Sequence, residues 1–201
     1  MVRELETERL FIRRWQVKDA SSLFEYAKHK EVGPAAGWKP HESVLESRNI
    51  ITTLFMPNDS FKIVLKENNK IIGSIGFEPD KYRPGIKSME LGYSLSHDYW
   101  GRGLMTEAAL RVIEYGFSDL GLDIISIVTT EINRRSQGVI KKCGFVLEGN
   151  LRRCYRIYTG EIRNCMVFSM LKEEWLSRKK KSGTFRFQKG SVDNESHTKA
   201  P

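Results

Sequence analysis

Two glycines separated by one residue, Gly101-Arg102-Gly103, fall where a strand-like stretch (residues 89–95) gives way to an amphipathic helical one (residues 106–120). Glycine has no Cβ, so the backbone there can take conformations barred to other residues and can let a ligand come close. The first amides of the new helix, from Arg102 through Gly103, Leu104, Met105 and Thr106, have no acceptor within it. They converge on one spot that the helix dipole makes attractive to an anion. The chemistry this implies is phosphate binding. It is not that of a P-loop, which needs Gly-x4-Gly-Lys-Ser/Thr, nor that of a dinucleotide fingerprint, which needs a third glycine at Met105 or Thr106. A plain tight turn is the competing use of the two glycines.

The downstream order of residues narrows the choice. An apolar strand, Ile124-Ile125-Ser126-Ile127-Val128-Thr129-Thr130, follows the helix; then come Asn133-Arg134-Arg135-Ser136, a short helix to Cys143, and Gly144-Phe145. With Leu10-Phe11-Ile12-Arg13 and Asp19-Ala20, Ile72-Gly73-Ser74-Ile75-Gly76, Glu90-Leu91-Gly92-Tyr93, Trp100 through Ala108, Glu148-Gly149 and Gly160-Glu161-x-Arg163, the chain resembles the GNAT acyltransferases over about residues 5–172. It is most similar to the branch that holds the RimJ and RimL ribosomal-protein N-terminal acetyltransferases. The resemblance implies an α/β GNAT fold: a mixed, mostly antiparallel sheet of about seven strands flanked by helices. Its central parallel pair would splay to admit acetyl-CoA, the co-substrate, with no metal. The pantetheine arm would lie between those strands, paired with backbone at Leu95 and Ser96 and with the Asn133 side chain. The glycine turn would seat the pyrophosphate, and a backbone N–H near Ser94 or Leu95 would polarise the thioester carbonyl.

Acyl transfer to an amine also needs a free nitrogen lone pair. An α-amine has a pKa of about 8 and a lysine of about 10.4, so deprotonation at neutral pH costs roughly 1.4 or 4.6 kcal/mol. Glu90 is the candidate base, acting through a water; a structural carboxylate pair is its competing use. Glu148 is a second candidate on the acceptor side. Tyr155, on the same strand, stands where RimL-like members offer a carboxylate. Ser136 would give a proton to the leaving thiolate, as the RimJ/RimL resemblance implies, because Ile140 holds the position of the tyrosine that many GNAT enzymes use. Asn133 could instead be a turn residue and Ser136 a helix cap. Trp38 joins Glu148 as a candidate for contact with the acceptor amine, which is either a protein N-terminus or a small molecule. His97 precedes the glycine turn and is a possible phosphate contact. No Ser-His-Asp or Cys-His pattern suggests covalent catalysis, which fits direct attack in a ternary complex. A catalytically weak CoA-binding regulatory module is the alternative.

These side chains need a scaffold. Residues 10–15 read as a first strand, and Asp19 as the N-cap of a helix through Ala27. The run from 32 to 40, with Gly33, Pro34, Gly37 and Pro40, reads as helix-breaking and carries an exposed Trp38. A second helix spans 43–56 and ends at Pro57. Residues 61–66 and 70–77 alternate as a hairpin around Asn68-Asn69. In the helix after the glycine turn, Ala109, Val112, Ile113, Gly116, Phe117 and Leu120 share one face. Strand, helix and strand there make a right-handed parallel crossover. Residues 145–158 and 163–171 close the domain as a long hairpin turning at Thr159-Gly160.

The 201 residues suit one domain, residues 8–176, with a basic tail at 177–201. Of the net charge of +8, residues 178–201 carry +5 and the rest +3. The tail is rich in Ser, Lys, Gly and Asn and reads as disordered. Its charge could meet RNA, but only Phe185 and Phe187 offer stacking platforms, which disfavours nucleic acid as a partner. No apolar run approaches the ~20 residues of a membrane span, and the start lacks a signal-peptide core. Three cysteines, Cys143, Cys154 and Cys165, make an odd count without metal-type spacing, which suits a reduced, cytoplasmic setting; Cys154 and Cys165 could face each other across a hairpin, but buried free thiols are the favoured reading. A monomer and a homodimer are both compatible with the sequence.

Overall fold

The computed structural model describes residues 4–181. Its centre is an eight-stranded sheet in the order β1-β2-β3-β4-β5-β6-β8-β7. The strands are β1 (Leu5–Glu6), β2 (Leu10–Arg14), β3 (Asp59–Leu65), β4 (Ile71–Pro79), β5 (Ser88–Leu95), β6 (Ile124–Thr130), β7 (Val146–Arg156) and β8 (Ile162–Leu171). The strand beyond the expected seven is β1, a two-residue edge too short for alternation to reveal. Every pairing is antiparallel except β5 with β6. That parallel contact covers only Ser88↔Ile124, Met89↔Ile125 and Glu90↔Ser126. Beyond it β5 follows β4 to Leu95↔Gly73 and β6 follows β8 to Thr130↔Cys165. Each strand keeps its outer partner as the sheet twists, and a gap opens between them.

One face of the sheet carries the main core. Phe77 of β4, Leu91 of β5, Ile125 and Ile127 of β6 and Phe168 of β8 pack against α4 (Leu104–Ser118) through Ala109, Val112, Ile113 and Phe117. The spacing expected of that helix is the one observed. Gly116 is there for closeness, since a Cβ would come within 2.9 Å of both Phe77 and Ile125. The opposite face is covered over its first strands by α1 (Ala20–Ala27), α2 (Val32–Ala36) and α3 (Val44–Ile50), the last running on as a π-helical turn, Ile51–Phe55. Trp15, Leu23, Tyr26 and Ile51 form a second core there.

Four expectations are corrected. Residues 32–36 form a helix, because Pro34 sits in its first turn, where an N–H has no partner to lose; Gly37, at φ 91°, then ends it. Trp38 is half-buried, its ring lying where a Cβ on Gly33 would meet it at 2.5 Å. Asp19 stands at the cap position of α1 but makes no side-chain cap bond. Its carboxylate accepts from the Gln16 N–H at 2.8 Å and pairs with Lys62 Nζ at 2.6 Å, both side chains buried. Cys143 and Cys165 are buried as expected, but Cys154 is exposed. At the C-terminus α6 spans Lys172–Lys181, with Lys179 paired to Glu114 and Arg178 donating to the Cys143 carbonyl at 3.4 Å. Residues 182–201, the rest of the expected tail, lie outside the described residues.

Candidate active site

The glycine turn has the geometry its residue types demand. Gly101 and Gly103 sit at φ 77° and 76°, in the left-handed region. A Cβ on Gly101 would meet nothing within 4 Å, and one on Gly103 only Arg9 at 3.7 Å. Conformation, not crowding, requires glycine here. Gly103 is the N-cap of α4 and no side chain caps the helix. The first intrahelical bond runs from Glu107 N to Gly103 O at 3.1 Å. The amides of Leu104, Met105 and Thr106 therefore have no acceptor in the helix. Glu107, the acid in this first turn, is held from outside by Thr7 Oγ1 (2.6 Å), the Arg9 N–H (2.9 Å) and Arg9 Nε (2.6 Å). Partial burial pushes its carboxyl up, but these donors hold it below the usual range. Its charge is thus neutralised away from the turn.

These amides open onto a cavity of about 250 Å³. Leu95, Gly101, Gly103, Leu104, Met105 and Thr106 line it from one side, and Asn133 and Ser136 from the other. Arg134, Arg135 and Lys142 add positive charge at its wall. Trp100 fixes the turn by donating Nε1–H to the Leu95 carbonyl at 2.8 Å, with Arg135 stacked 4.2 Å over its ring. The donor set fits a polyphosphate-bearing co-substrate: free helix amides, three cations and a channel leading toward the sheet. Ser96 and Arg102 adjoin the cavity without lining it. The Ser96 N–H donates to Ile72 O at 2.7 Å, and Arg102 lies 5.1 Å over the Tyr99 ring. His97 stacks on His29 (4.4 Å) and lies tilted against Trp100 (4.7 Å), also away from the lining.

Strand alternation separates two half-sites. Leu91 lies in the main core and Tyr93 and Leu95 pack against it. Glu90, Gly92 and Ser94 consequently face the other way, and Ser94 Oγ meets Tyr26 Oη of α1 at 3.5 Å. The cavity is lined by Tyr93 from one face, Ser94 from the other, and Val32 and Ala35 of α2, so it passes through the gap between β5 and β6. Glu90 is half-buried on the second face, at the last residue paired with β6 and directly opposite Glu78 of β4. Burial first, and then the charges of Glu78 and Asp80 against the opposing Lys81, push its carboxyl up to about 7. A carboxylate poised near neutrality beside a gap in the sheet suits a general base.

Tyr155 of β7 shares this face through its pairing with Arg163. Its ring fills the niche left by Gly37, where a Cβ would be 2.2 Å away. Burial pushes its phenol up. Glu148 is engaged elsewhere: both its oxygens accept from Arg83 Nη2, and Arg83 Nη1 also holds Asp80 at 2.8 Å. Partial burial raises the Glu148 carboxyl, but bonds from Ser169 and Arg83 keep it below the usual range. A group so held is a poor proton acceptor. Trp38 packs on Gly33 and His41 and does not line the cavity.

Two features escaped the sequence reading. The first is the role of α2 as a strap across the second face of the gap. Asn133 Nδ2 donates to the Ala35 carbonyl at 2.9 Å and Arg163 Nη1 to the Pro34 carbonyl at 3.2 Å. Asn133 Oδ1 accepts the Ser136 N–H at 3.1 Å, so the residue is the N-cap of α5 (Arg134–Cys143) and both ends of its amide are engaged. The second is Tyr93, whose hydroxyl reaches Ser136 Oγ at 2.9 Å. A core-facing tyrosine needs a partner for its hydroxyl, and that was the available signal.

Comparison with known proteins gives this geometry a family. The model of the acetyltransferase (GNAT) domain matches residues 9–146. The chain belongs to the GNAT acetyltransferase family. It is 32% identical over 179 residues to the uncharacterized N-acetyltransferase p20 of Bacillus licheniformis, covering 85% of this chain and 97% of that one. The GNAT-family acetyltransferase from Bacillus anthracis superposes with a TM-score of 0.77 at 26% identity, covering 86% of this chain and 100% of that structure. The ribosomal-protein-S5-alanine acetyltransferase from Vibrio fischeri does so with a TM-score of 0.70 at 25% identity, covering 87% and 99%.

As a GNAT member the protein is an acyltransferase of the N-acetyl-transferring kind. The family's co-substrate, acetyl-CoA, carries the diphosphate that the helix amides suit and a thioester arm that the gap admits. Ile140 of this GNAT protein is wholly buried and adds nothing polar to α5 one turn beyond Ser136. Among the described residues no helix is long and apolar enough to cross a membrane.

Proposed function

We propose that the protein acetylates a primary amine in the manner of the RimJ/RimL branch, by direct attack on acetyl-CoA within a ternary complex. The reading is carried by the gap that opens beyond Glu90↔Ser126, with an anion-binding cavity on one face and Glu90 on the other. The diphosphate would rest on the amides of Leu104, Met105 and Thr106, and the pantetheine arm would run along β5 toward the gap. The acceptor would enter from the opposite face as an ammonium ion. Among the described residues no cation forms an ion pair with Glu78 or Glu90, and Lys81 opposes the negative charges that act on Glu90. Glu90 takes the ammonium proton through a water; the amine nitrogen then bonds to the acetyl carbon and the C–S bond breaks. A base near pKa 7 removes the proton of an α-amine with a gap of only about one unit. Tyr155 and α2 border the entry and would shape the acceptor.

The deciding experiment measures free-thiol release from acetyl-CoA against N-terminal peptides, including an alanine N-terminus, and small amines such as polyamines. Turnover with one class identifies the acceptor. Coenzyme binding by calorimetry without thiol release from any acceptor would refute the enzyme reading and leave a CoA-binding module.

A further inference from the structure

The acetyl-transfer reading leaves Ser136 as the hydroxyl of α5 nearest the departing sulfur, with nothing yet to fix where its hydrogen points. Ile140 is 0% exposed, so α5 presents no second donor one turn beyond Ser136. The β5 strand presents a hydroxyl that reaches Ser136. Tyr93 lies three residues past Glu90, in the part of β5 with no β6 neighbour, and its side chain bridges the open gap to α5. Its hydroxyl lies 2.9 Å from Ser136 Oγ and 3.3 Å from the Ser136 carbonyl oxygen. Both residues line the donor cavity. Ser136 is itself fixed, its N–H held by Asn133 Oδ1 at 3.1 Å.

We propose, on the basis of the acetyl-transfer reading above, that Tyr93 is a positioning residue that turns the Ser136 hydroxyl hydrogen toward the leaving sulfur. A serine hydroxyl has one hydrogen and two lone pairs. When Tyr93 donates to Oγ it occupies a lone pair and leaves the serine hydrogen directed into the cavity. Burial holds the Tyr93 phenol above its ordinary pKa, so it remains a donor throughout the working range. As the amine nitrogen bonds to the acetyl carbon, the C–S bond breaks and its electron pair stays on sulfur. The Ser136 O–H hydrogen-bonds to that developing thiolate without giving up its proton. The thiolate of a thiol with pKa about 8.5 is too weak a base to deprotonate a serine hydroxyl. The amine proton goes to Glu90, and the thiolate takes its own proton from water after release.

The test is single-turnover acetyl transfer by Tyr93→Phe, Ser136→Ala and the double variant, with acetyl-CoA and an acceptor the wild type uses. Tyr93→Phe keeps the ring and removes one oxygen. Each single variant should slow the chemical step about tenfold, the scale of one hydrogen bond to a developing charge. Acetyl-CoA affinity by calorimetry should stay within about twofold. The double variant should be no slower than Ser136→Ala. Ser136→Thr, which keeps the hydroxyl, should retain the rate beside Tyr93 but not beside Phe. A Tyr93→Phe rate within about twofold of wild type would overturn the proposal. So would losses that multiply in the double variant, or a loss confined to coenzyme affinity. No wild-type turnover at all would instead refute the acetyl-transfer reading, so the two failures are distinct.

Discussion

Replacing Glu78 with Gln should make the enzyme faster in mild acid. Glu78 and Glu90 are directly opposed on β4 and β5, which places their Cβ atoms about 5 Å apart and their carboxylates at roughly 6 Å. Glu78 is exposed and Glu90 half-buried, so an effective dielectric of about 40–80 applies and the repulsion is about 0.7–1.4 kcal/mol. That corresponds to a drop of about 0.5–1 unit from the value near 7. Burial, the larger cause, stays. At about pH 6 the ionised fraction of Glu90 rises from roughly one in eleven to between a quarter and a half, so activity rises about three- to fivefold. Above about pH 8.5 the two forms converge. The assay is the variant-to-wild-type ratio of turnover across pH at saturating acceptor, which cancels the acceptor's own titration. An inflection that stays put or moves upward would show that Glu90 is not the group limiting the acid limb.

Glu90→Gln should lower turnover yet stabilise the fold. The folded-state carboxyl is raised from 4.5 to about 7, so the native state binds the proton more tightly and stability falls as pH rises through that window. Above it the penalty is about 3 kcal/mol at most. Scanning calorimetry should therefore show a higher Tm for the variant at about pH 8 and little difference near pH 4.5. Asn133→Ala removes the cap of α5 and a tether of the strap. It should cost about 1 kcal/mol in a denaturant melt and weaken the binding of CoA by calorimetry. Gly37→Ala places a methyl 2.2 Å from the Tyr155 ring at φ +91°. Its backbone part, about 1–2 kcal/mol, should persist when Tyr155 is also truncated, whereas the steric part should vanish. Asp19→Ala strands the buried Lys62 ammonium and should lose about 3–5 kcal/mol of unfolding free energy in urea.

Legibility in the sequence followed how local the cause was. The glycine turn, the end of α5 at Gly144 and the turn at Thr159-Gly160 are all set by positive φ at single residues, so residue type alone reveals them. The face of Glu90 follows from alternation along β5. The strap was illegible because its anchors are the carbonyls of Pro34 and Ala35, a group that every residue carries. Glu148 read as a candidate for chemistry because its partner, Arg83, lies 65 positions away. Asp19 likewise read as a cap because Lys62 is 43 positions distant. The link between Tyr93 and Ser136 depends on the separation of two strands, and no local pattern encodes that separation.

Mooring α2 by its main chain has an evolutionary reading. Ala35 and Ala36, which line the cavity, can change their side chains without casting off from Asn133 and Arg163, because the ropes are tied to peptide groups. A lineage could thus remodel what the proposed acceptor face admits while the cavity at the glycine turn stays undisturbed. Selectivity and the transfer chemistry would then be free to drift on separate clocks.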